Sequence, residues 1–121
     1  MKKLGILALL LAVMMIISSV ALAYEYSGRY GDSTLKKGHG GKNSPHLKQY
    51  VANVQGDVNW CPFGNCGTVD GIYGNNTVNG VKDYQRYQDY TPKELDVDGQ
   101  AGFNTKTSLY SFSKGFGNWA Y

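Results

Sequence analysis

The sequence predicts an all-α fold: a compact three-helix bundle with Gly-rich connecting loops. Three observations lead there. Apolar residues recur at helical spacing in three separate stretches, glycine-rich segments join those stretches, and one eight-residue turn-and-launch motif occurs twice.

The first helix opens at Ser44-Pro45, an N-cap residue followed by proline at the first helical position. Leu47, Tyr50, Val51 and Val54 follow at i, i+3, i+4 and i+7, and Gln55-Gly56-Asp57 reads as the end, with Gly56 as a left-handed C-cap. A loop from Asp57 to Gly74 carries Trp60, Cys61, Pro62, Phe63 and Cys66. The second helix spans about Asn75 to Asp89, with Thr77, Val81, Tyr84 and Gln88 facing inward and Gly80 beside them. Thr91-Pro92-Lys93-Glu94 reads as a capping box opening one short turn. The third helix covers roughly Phe103 to Phe112, where Thr105, Leu109 and Phe112 share a face.

What precedes the bundle is of another kind. Lys2 and Lys3 lead into an apolar run from Leu4 to Ile17, followed by small residues and an Ala21-x-Ala23 cut site, the pattern of a secretory signal peptide over residues 1–23. Removing 23 of 121 residues leaves 98. Lys2 and Lys3 leave with it, so 10 of the 12 basic residues face 9 acidic ones, a net charge of +1. That is too even a balance for nucleic-acid binding, which neutralises several phosphates at once. Residues 24–33 read as a flexible arm, 34–113 as the domain and 114–121 as an aromatic tail without periodicity. The expected product is a secreted monomer, off the membrane once the signal is cut, with one modest core.

The internal repeat is the most specific feature. Residues 70–77 read DGIYGNNT and residues 98–105 read DGQAGFNT, both Asp-Gly-x-x-Gly-x-x-Thr, 28 residues apart. Val69 and Val97 precede the two copies, and Val81 and Leu109 follow each Thr by four places. Asp-Gly supplies a tight turn with positive φ at Gly71 and Gly99. Gly74 and Gly102 allow close backbone passage, while the aspartates and threonines serve the exposed N–H groups of the helix that follows.

These residues resemble a family. VDGIYGNNTVNGVKDYQ, followed by LDVDGQAGFNTKTSLYSF, is similar to the peptidoglycan-binding domain of bacterial wall hydrolases, the small three-helix type. The family pattern V-D-G-x-[FY]-G-x-x-T-x-x-A-V-x-x-[FY]-Q falls on Val69 to Gln85, and V-D-G-x-x-G-x-x-T-x-x-x-L on Val97 to Leu109. Leu35-Lys36-Lys37-Gly38 resembles its opening segment and Leu47 to Val54 its first helix, so the likeness covers about residues 34–113. Four departures stand out. Gly80 replaces a small Ala, at roughly 0.5–1 kcal/mol to the helix. Val51 stands where the family has Gln, Cys61 to Cys66 is an insertion, and the loop after Asp89 is long.

The resemblance implies a secreted, non-catalytic module without cofactor that binds cell-wall peptidoglycan, through its glycan strand or its stem peptide, and so localises outside the cell or on the wall. Its groove would be floored by the two Asp-Gly turns and the start of the second helix. Tyr73 and Tyr90 are the stacking candidates; Asp70, Asn75, Asn76, Gln85 and Asp98 are the hydrogen-bonding ones. An accessory that recruits or regulates a cell-wall hydrolase is the alternative, ahead of a small bacteriolytic enzyme.

Other chemistries fit less well. Cys61 and Cys66, in an exported chain, are expected to form a disulfide closing a small loop. The Ser-x-Gly-Cys signature of wall transpeptidases is missing, which speaks against a catalytic thiol. His39 and His46 lack partners at zinc spacing. Asp96-x-Asp98-Gly99 lacks the bidentate carboxylate of a calcium loop, with Thr105 in its place. Asp70 and Asp98 as a glycosidase pair would need a cleft and a raised pKa. Asn75-Asn76-Thr77 is formally a glycosylation sequon, in a bacterial chain a coincidence of the helix start. Tyr73, Tyr87, Tyr90 and Trp60 serve either as sugar-stacking surface or as packing for the long loops.

Overall fold

The computed structural model describes residues 27–88 and 95–115. The expected signal peptide, the capping box at Thr91, Tyr90 and the tail beyond Gly115 lie outside the described residues. Three α-helices make the domain: α1 (Lys48–Trp60), α2 (Asn75–Tyr87) and α3 (Phe103–Gly115), with a 3-10 turn at Pro45–Leu47 leading into α1. α1 packs against both of the others. Among the described residues, extended pairing is confined to two isolated antiparallel bridges, Leu35 with Ala101 and Gly40 with Ile72. The fold is all-α, as the apolar spacing predicts.

Val51, Val54 and Val58 of α1 are fully buried, with Leu47 and Tyr50 packed at the margin. Ser44-Pro45 does open this segment, although proline starts the 3-10 turn and the Ser44 side chain makes no capping bond. The predicted end at Gln55-Gly56-Asp57 is corrected: the helix continues to Trp60, and Gly56 does not adopt positive φ. Gln55 and Asp57 are buried and find their partners in the tertiary structure, so this polar triplet is interior rather than a solvent-facing stop. The stop lies at Cys61, which is extended at φ −70°, ψ 141°. Pro62 follows it, and the residue before a proline is driven out of the helical region.

α2 buries Thr77, Gly80, Val81, Tyr84 and Gln85, close to the predicted inward set. α3 buries Thr105, Leu109 and Phe112 as predicted, and also Lys106, Ser108, Tyr110 and Ser113, and it runs past the expected boundary at 113.

The arm expected to be flexible is packed from residue 27 on. Residues 27–30 form a helical turn, and Tyr30 is fully buried. Its hydroxyl donates to Asp57 Oδ2 at 2.5 Å, while Arg29 grips the same carboxylate through Nε at 2.8 Å and Nη2 at 2.7 Å. Buried Lys106 donates its ammonium to the Gly31 carbonyl at 3.1 Å and to that of Ser33. Burial lowers the Lys106 pKa to about 8, against the opposing pull of Asp32. A charged clamp at each end therefore orders a segment whose sequence has no apolar period. The chain then crosses both Asp-Gly turns: Leu35 and Ala101 exchange backbone bonds at 3.0 and 2.8 Å, Tyr73 N donates to His39 O at 3.0 Å, and Gly41 N to Gly71 O at 2.9 Å.

The expected Cys61–Cys66 disulfide is not formed; both residues are free, buried thiols. Each sulfur is engaged with a different helix. Cys61 Sγ donates to Asp57 O of α1 at 3.2 Å, and Cys66 Sγ faces Thr77 O of α2 at 3.8 Å. Burial pushes each thiol up to about 12. Between them Phe63 inserts against Tyr84 and Phe112, with Trp60 edge-on to Phe112 at 5.7 Å. Trp60 thus rests one edge on Phe112 of α3 while staying exposed. The same loop crosses α2 so closely that a Cβ on Gly80 would sit 2.6 Å from the Asn65 carbonyl group.

Candidate functional site

The repeat builds one hydrogen-bonded device twice. In the first copy, Gln55 of α1 reaches into the turn. Its Oε1 accepts the N–H groups of Asp70 and Gly71 at 3.1 and 2.9 Å, and its Nε2 donates to Asp70 Oδ1, Ile72 O and Thr77 Oγ1 at 3.0, 3.0 and 2.9 Å. In the second, Gln85 of α2 does the same. Its Oε1 accepts from Asp98 and Gly99 at 3.1 and 2.9 Å, and its Nε2 donates to Asp98 Oδ1, Gln100 O and Thr105 Oγ1 at 3.0, 2.9 and 3.0 Å. Each aspartate closes its own turn by accepting from the N–H two residues on, Ile72 or Gln100, at 2.9 Å. Gly71 and Gly99 hold φ of 76° and 73°, the region that favours glycine.

Two expectations are corrected here. The aspartates close turns and do not cap helices: the residue flanking α2 is Gly74, with no side-chain cap bond. Nor is Gly74 needed for close approach, since a Cβ there would meet nothing within 4 Å. The residue that holds the first turn, Gln55, lies four residues beyond Val51, one helical turn along.

Beside each turn lies a shallow cleft. The first, about 240 Å³, is lined by Thr68, Asp70, Ile72, Asn75 and Asn76 over a floor of Gln55, Cys66, Gly74 and Thr77. The second, about 180 Å³, is lined by Asp96, Asp98, Gln100, Phe103 and Asn104 with Thr34, over Gly102 and Thr105. Counted from the start of each motif, Thr68 matches Asp96, Asp70 matches Asp98, Ile72 matches Gln100, Asn75 matches Phe103 and Asn76 matches Asn104.

The structure sorts the predicted site residues. Asp70, Asn75 and Asn76 come together, exposed, at the first cleft. Asp98 lines the second cleft instead. Gln85 is buried, holding the second turn, and is unavailable to a ligand. Tyr73 is corrected from stacking surface to core: it is 1% exposed, and its hydroxyl donates to Gly99 O at 2.6 Å. Tyr87 is exposed beneath the Arg86 guanidinium, 5.7 Å from the ring centre. The rim residues missed are Thr68 and Ile72 at one cleft, and Thr34, Asp96, Gln100, Phe103 and Asn104 at the other. The repeat itself was the signal for the last two, since they occupy the positions of Asn75 and Asn76.

Hydrogen bonds from the Ile72 N–H and the Gln55 amide hold the Asp70 carboxyl below its ordinary pKa, with Lys48 adding to the effect. It is therefore an ionised hydrogen-bond acceptor at neutral pH.

Residues 49–109 match the family model described as "Putative peptidoglycan binding domain", and the chain belongs to that family. No curated protein and no solved structure matches the chain.

Proposed function

We propose that this chain is a secreted, non-catalytic module that holds peptidoglycan in the cleft beside its first Asp-Gly turn and so stays at the cell wall. The observation that carries the reading is the first cleft's rim. The exposed side chains of Asp70, Asn75 and Asn76 converge on a backbone locked by Gln55, so hydroxyl and amide groups of a ligand meet donors and acceptors already in place. Ile72, 53% exposed, adds an apolar edge beside them.

The chemistry favours binding over catalysis. A glycosidase acid has a raised pKa, whereas that of Asp70 is lowered. A nucleophilic cysteine has a depressed pKa, whereas both thiols stand near 12. Affinity for one site is modest, because a shallow solvated cleft gains little beyond what ordering costs.

The test is a pull-down with purified sacculi freed of protein and anionic polymers, paired with an amide-shift titration using soluble muropeptides. The reading expects retention on sacculi and shifts at Gly71, Asn75 and Asn76, with Asn76→Ala weakening both. Recovery in the unbound fraction at low and high salt would turn the reading to an accessory that grips a wall hydrolase.

A further inference from the structure

We propose that the lysine-bearing strap over the first Asp-Gly turn, residues 36–48, is a binding surface for the phosphate-rich anionic polymers of a cell wall. The inference rests on the wall location argued above, not on which group the cleft holds. Residues 33–56 carry Lys36, Lys37, Lys42 and Lys48 and no carboxylate side chain, in a chain expected to hold a net charge of only +1 once the signal is removed. All four lysines are exposed. Among the described residues the ion pairs are Arg29 with Asp57 and Arg86 with Asp83, so none of the four is neutralised by contact.

The strap is built with glycine inward and lysine outward. A Cβ on Gly40 would fall 2.0 Å from the Gly71 carbonyl oxygen, and one on Gly41 2.9 Å from Ile72 Cγ1, so side chains are excluded from the contact side. Backbone lies on backbone: Gly38 N donates to Tyr73 O at 3.0 Å and Gly41 N to Gly71 O at 2.9 Å. Two tight turns carry the first three lysines. His39 N donates to Lys36 O at 3.0 Å, closing the one with Lys36 and Lys37, and Ser44 N to Gly40 O at 3.2 Å, closing the one with Lys42. Lys48 lies along Gly71 itself, its Cγ 2.5 Å from where a Cβ there would stand. The anchor points on residues 71–73 span about 7 Å at most, within one screening length of about 8 Å at physiological salt. Asp70 is close enough to Lys48 to feel its charge, and a surplus of positive charge remains around this turn.

Lysine is a compact point charge on a flexible stem, suited to phosphates strung along a mobile chain. The strap lacks what other polyanions and surfaces require. It has no Phe, Tyr or Trp from residue 31 to 49, hence no platform for unstacked bases. The leucines at its ends turn inward, Leu35 fully buried and Leu47 packed on the core, hence no leucine to enter a bilayer. A phosphodiester polymer of the wall asks for neither. Strap and cleft then give two separate holds on the same wall, one salt-sensitive, whose joint affinity exceeds that of either.

The experiment is a titration of the protein with polyglycerol phosphate, followed by amide shifts and by affinity at rising salt. The expected result is shifts at Lys37, Gly38, Gly41, Lys42 and Lys48. Affinity should fall about fiftyfold from roughly 50 to 200 mM salt, as for four contacts on a single-stranded polyanion. Replacing the four together (Lys36→Gln, Lys37→Gln, Lys42→Gln, Lys48→Gln) should weaken binding at least about tenfold and flatten the salt dependence, while the matching four-arginine variant binds like wild type. Salt-independent binding, shifts confined to Asn75 and Asn76, or equal loss in a folded arginine variant overturns the proposal. Tighter binding to phosphatidylglycerol vesicles than to the polymer overturns it in favour of a lipid surface. Retention on sacculi stripped of anionic polymers with no binding to polyglycerol phosphate overturns the strap alone. Binding to polyglycerol phosphate with no retention on stripped sacculi supports the strap and overturns the peptidoglycan reading.

Discussion

Tyr73 and Gly99 belong to different copies of the repeat, and the phenolic hydroxyl of the first donates to the backbone carbonyl of the second at 2.6 Å in the buried interior. Burial holds that hydroxyl above the ordinary tyrosine range, so it stays protonated and donating. The bond connects two turns that are each held separately by a glutamine, and so makes one unit of them.

Removing only that hydroxyl tests the connection. Tyr73→Phe keeps the ring and leaves the buried Gly99 carbonyl without its donor, a loss of about 1–3 kcal/mol. The expected outcome is a lower urea midpoint with an unchanged m-value, because packing and compactness are preserved. A midpoint equal to wild type means the bond contributes nothing.

The glutamine pins make a sharper prediction. In Gln55→Glu or Gln85→Glu one oxygen still accepts the two turn N–H groups, but the other replaces an amide that donates to an aspartate, a carbonyl and a threonine. The introduced carboxyl faces another carboxylate, so its folded pKa rises above the ordinary value of about 4.3. The native state then keeps a proton that the unfolded chain releases, and stability falls as pH rises from that value towards 7. The expected loss is about 2–4 kcal/mol at pH 7, partly recovered near pH 4. Thermal unfolding of the two variants against pH checks both the size and the sign.

The helices and the doubled turn were legible because apolar spacing and Asp-Gly chemistry are local signals. The buried polar residues were not, since a stripe of apolar positions assigns Gln55, Asp57 and Lys106 to solvent by default. Their roles depend on partners 15 to 75 residues away in sequence. The Gln55 role was further masked by spacing: it precedes Asp70 by 15 residues, whereas Gln85 precedes Asp98 by 13, so a fixed-offset repeat does not align them. The arm misled for a related reason, since Tyr30, Arg29 and the Lys106 clamp order it through single contacts that no periodicity reports. At the site, the motif brings Asp70, Asn75 and Asn76 to one cleft, while Tyr73 misled because its position in the turn does not reveal which side of the backbone it faces.

Two glycines in helices should respond to alanine with opposite signs. Gly56 lies within α1 with nothing within 4 Å of a new Cβ, so Gly56→Ala should stabilise by about 0.5–1 kcal/mol. Gly80 lies within α2 under the backbone of Asn65 and Cys66, at 2.6 to 2.7 Å from a new Cβ, and backbone cannot swing aside as a side chain does. Gly80→Ala should therefore cost about 1–3 kcal/mol despite better helix propensity. Denaturant midpoints of the two single variants decide the matter, and a stabilised Gly80→Ala would mean that the 61–66 loop lifts away freely.

The thiols give an alkaline prediction. Burial raises both to about 12 from an ordinary value of 9, so between those limits the native state holds two protons that the unfolded chain gives up. Stability from these groups is present below pH 9 and is lost as pH climbs towards 12. At pH 10.5 the loss is of the order of 1–2 kcal/mol per thiol. Buried Tyr30 and Tyr73, also raised by burial, add a slope of the same sign, while Lys106, lowered to about 8, works the other way between 8 and its ordinary 10.5. The comparison that isolates the thiols is therefore wild type against a Cys61→Ala, Cys66→Ala double variant. The variant starts less stable at pH 7 but loses less between pH 8.5 and 10.5. The same burial makes native protein at pH 8 nearly inert to a thiol-specific disulfide reagent, with two equivalents reacting promptly once urea unfolds it. Rapid labelling of the native protein, or equal alkaline slopes for the two chains, would show that neither sulfur is held as a neutral, enclosed thiol.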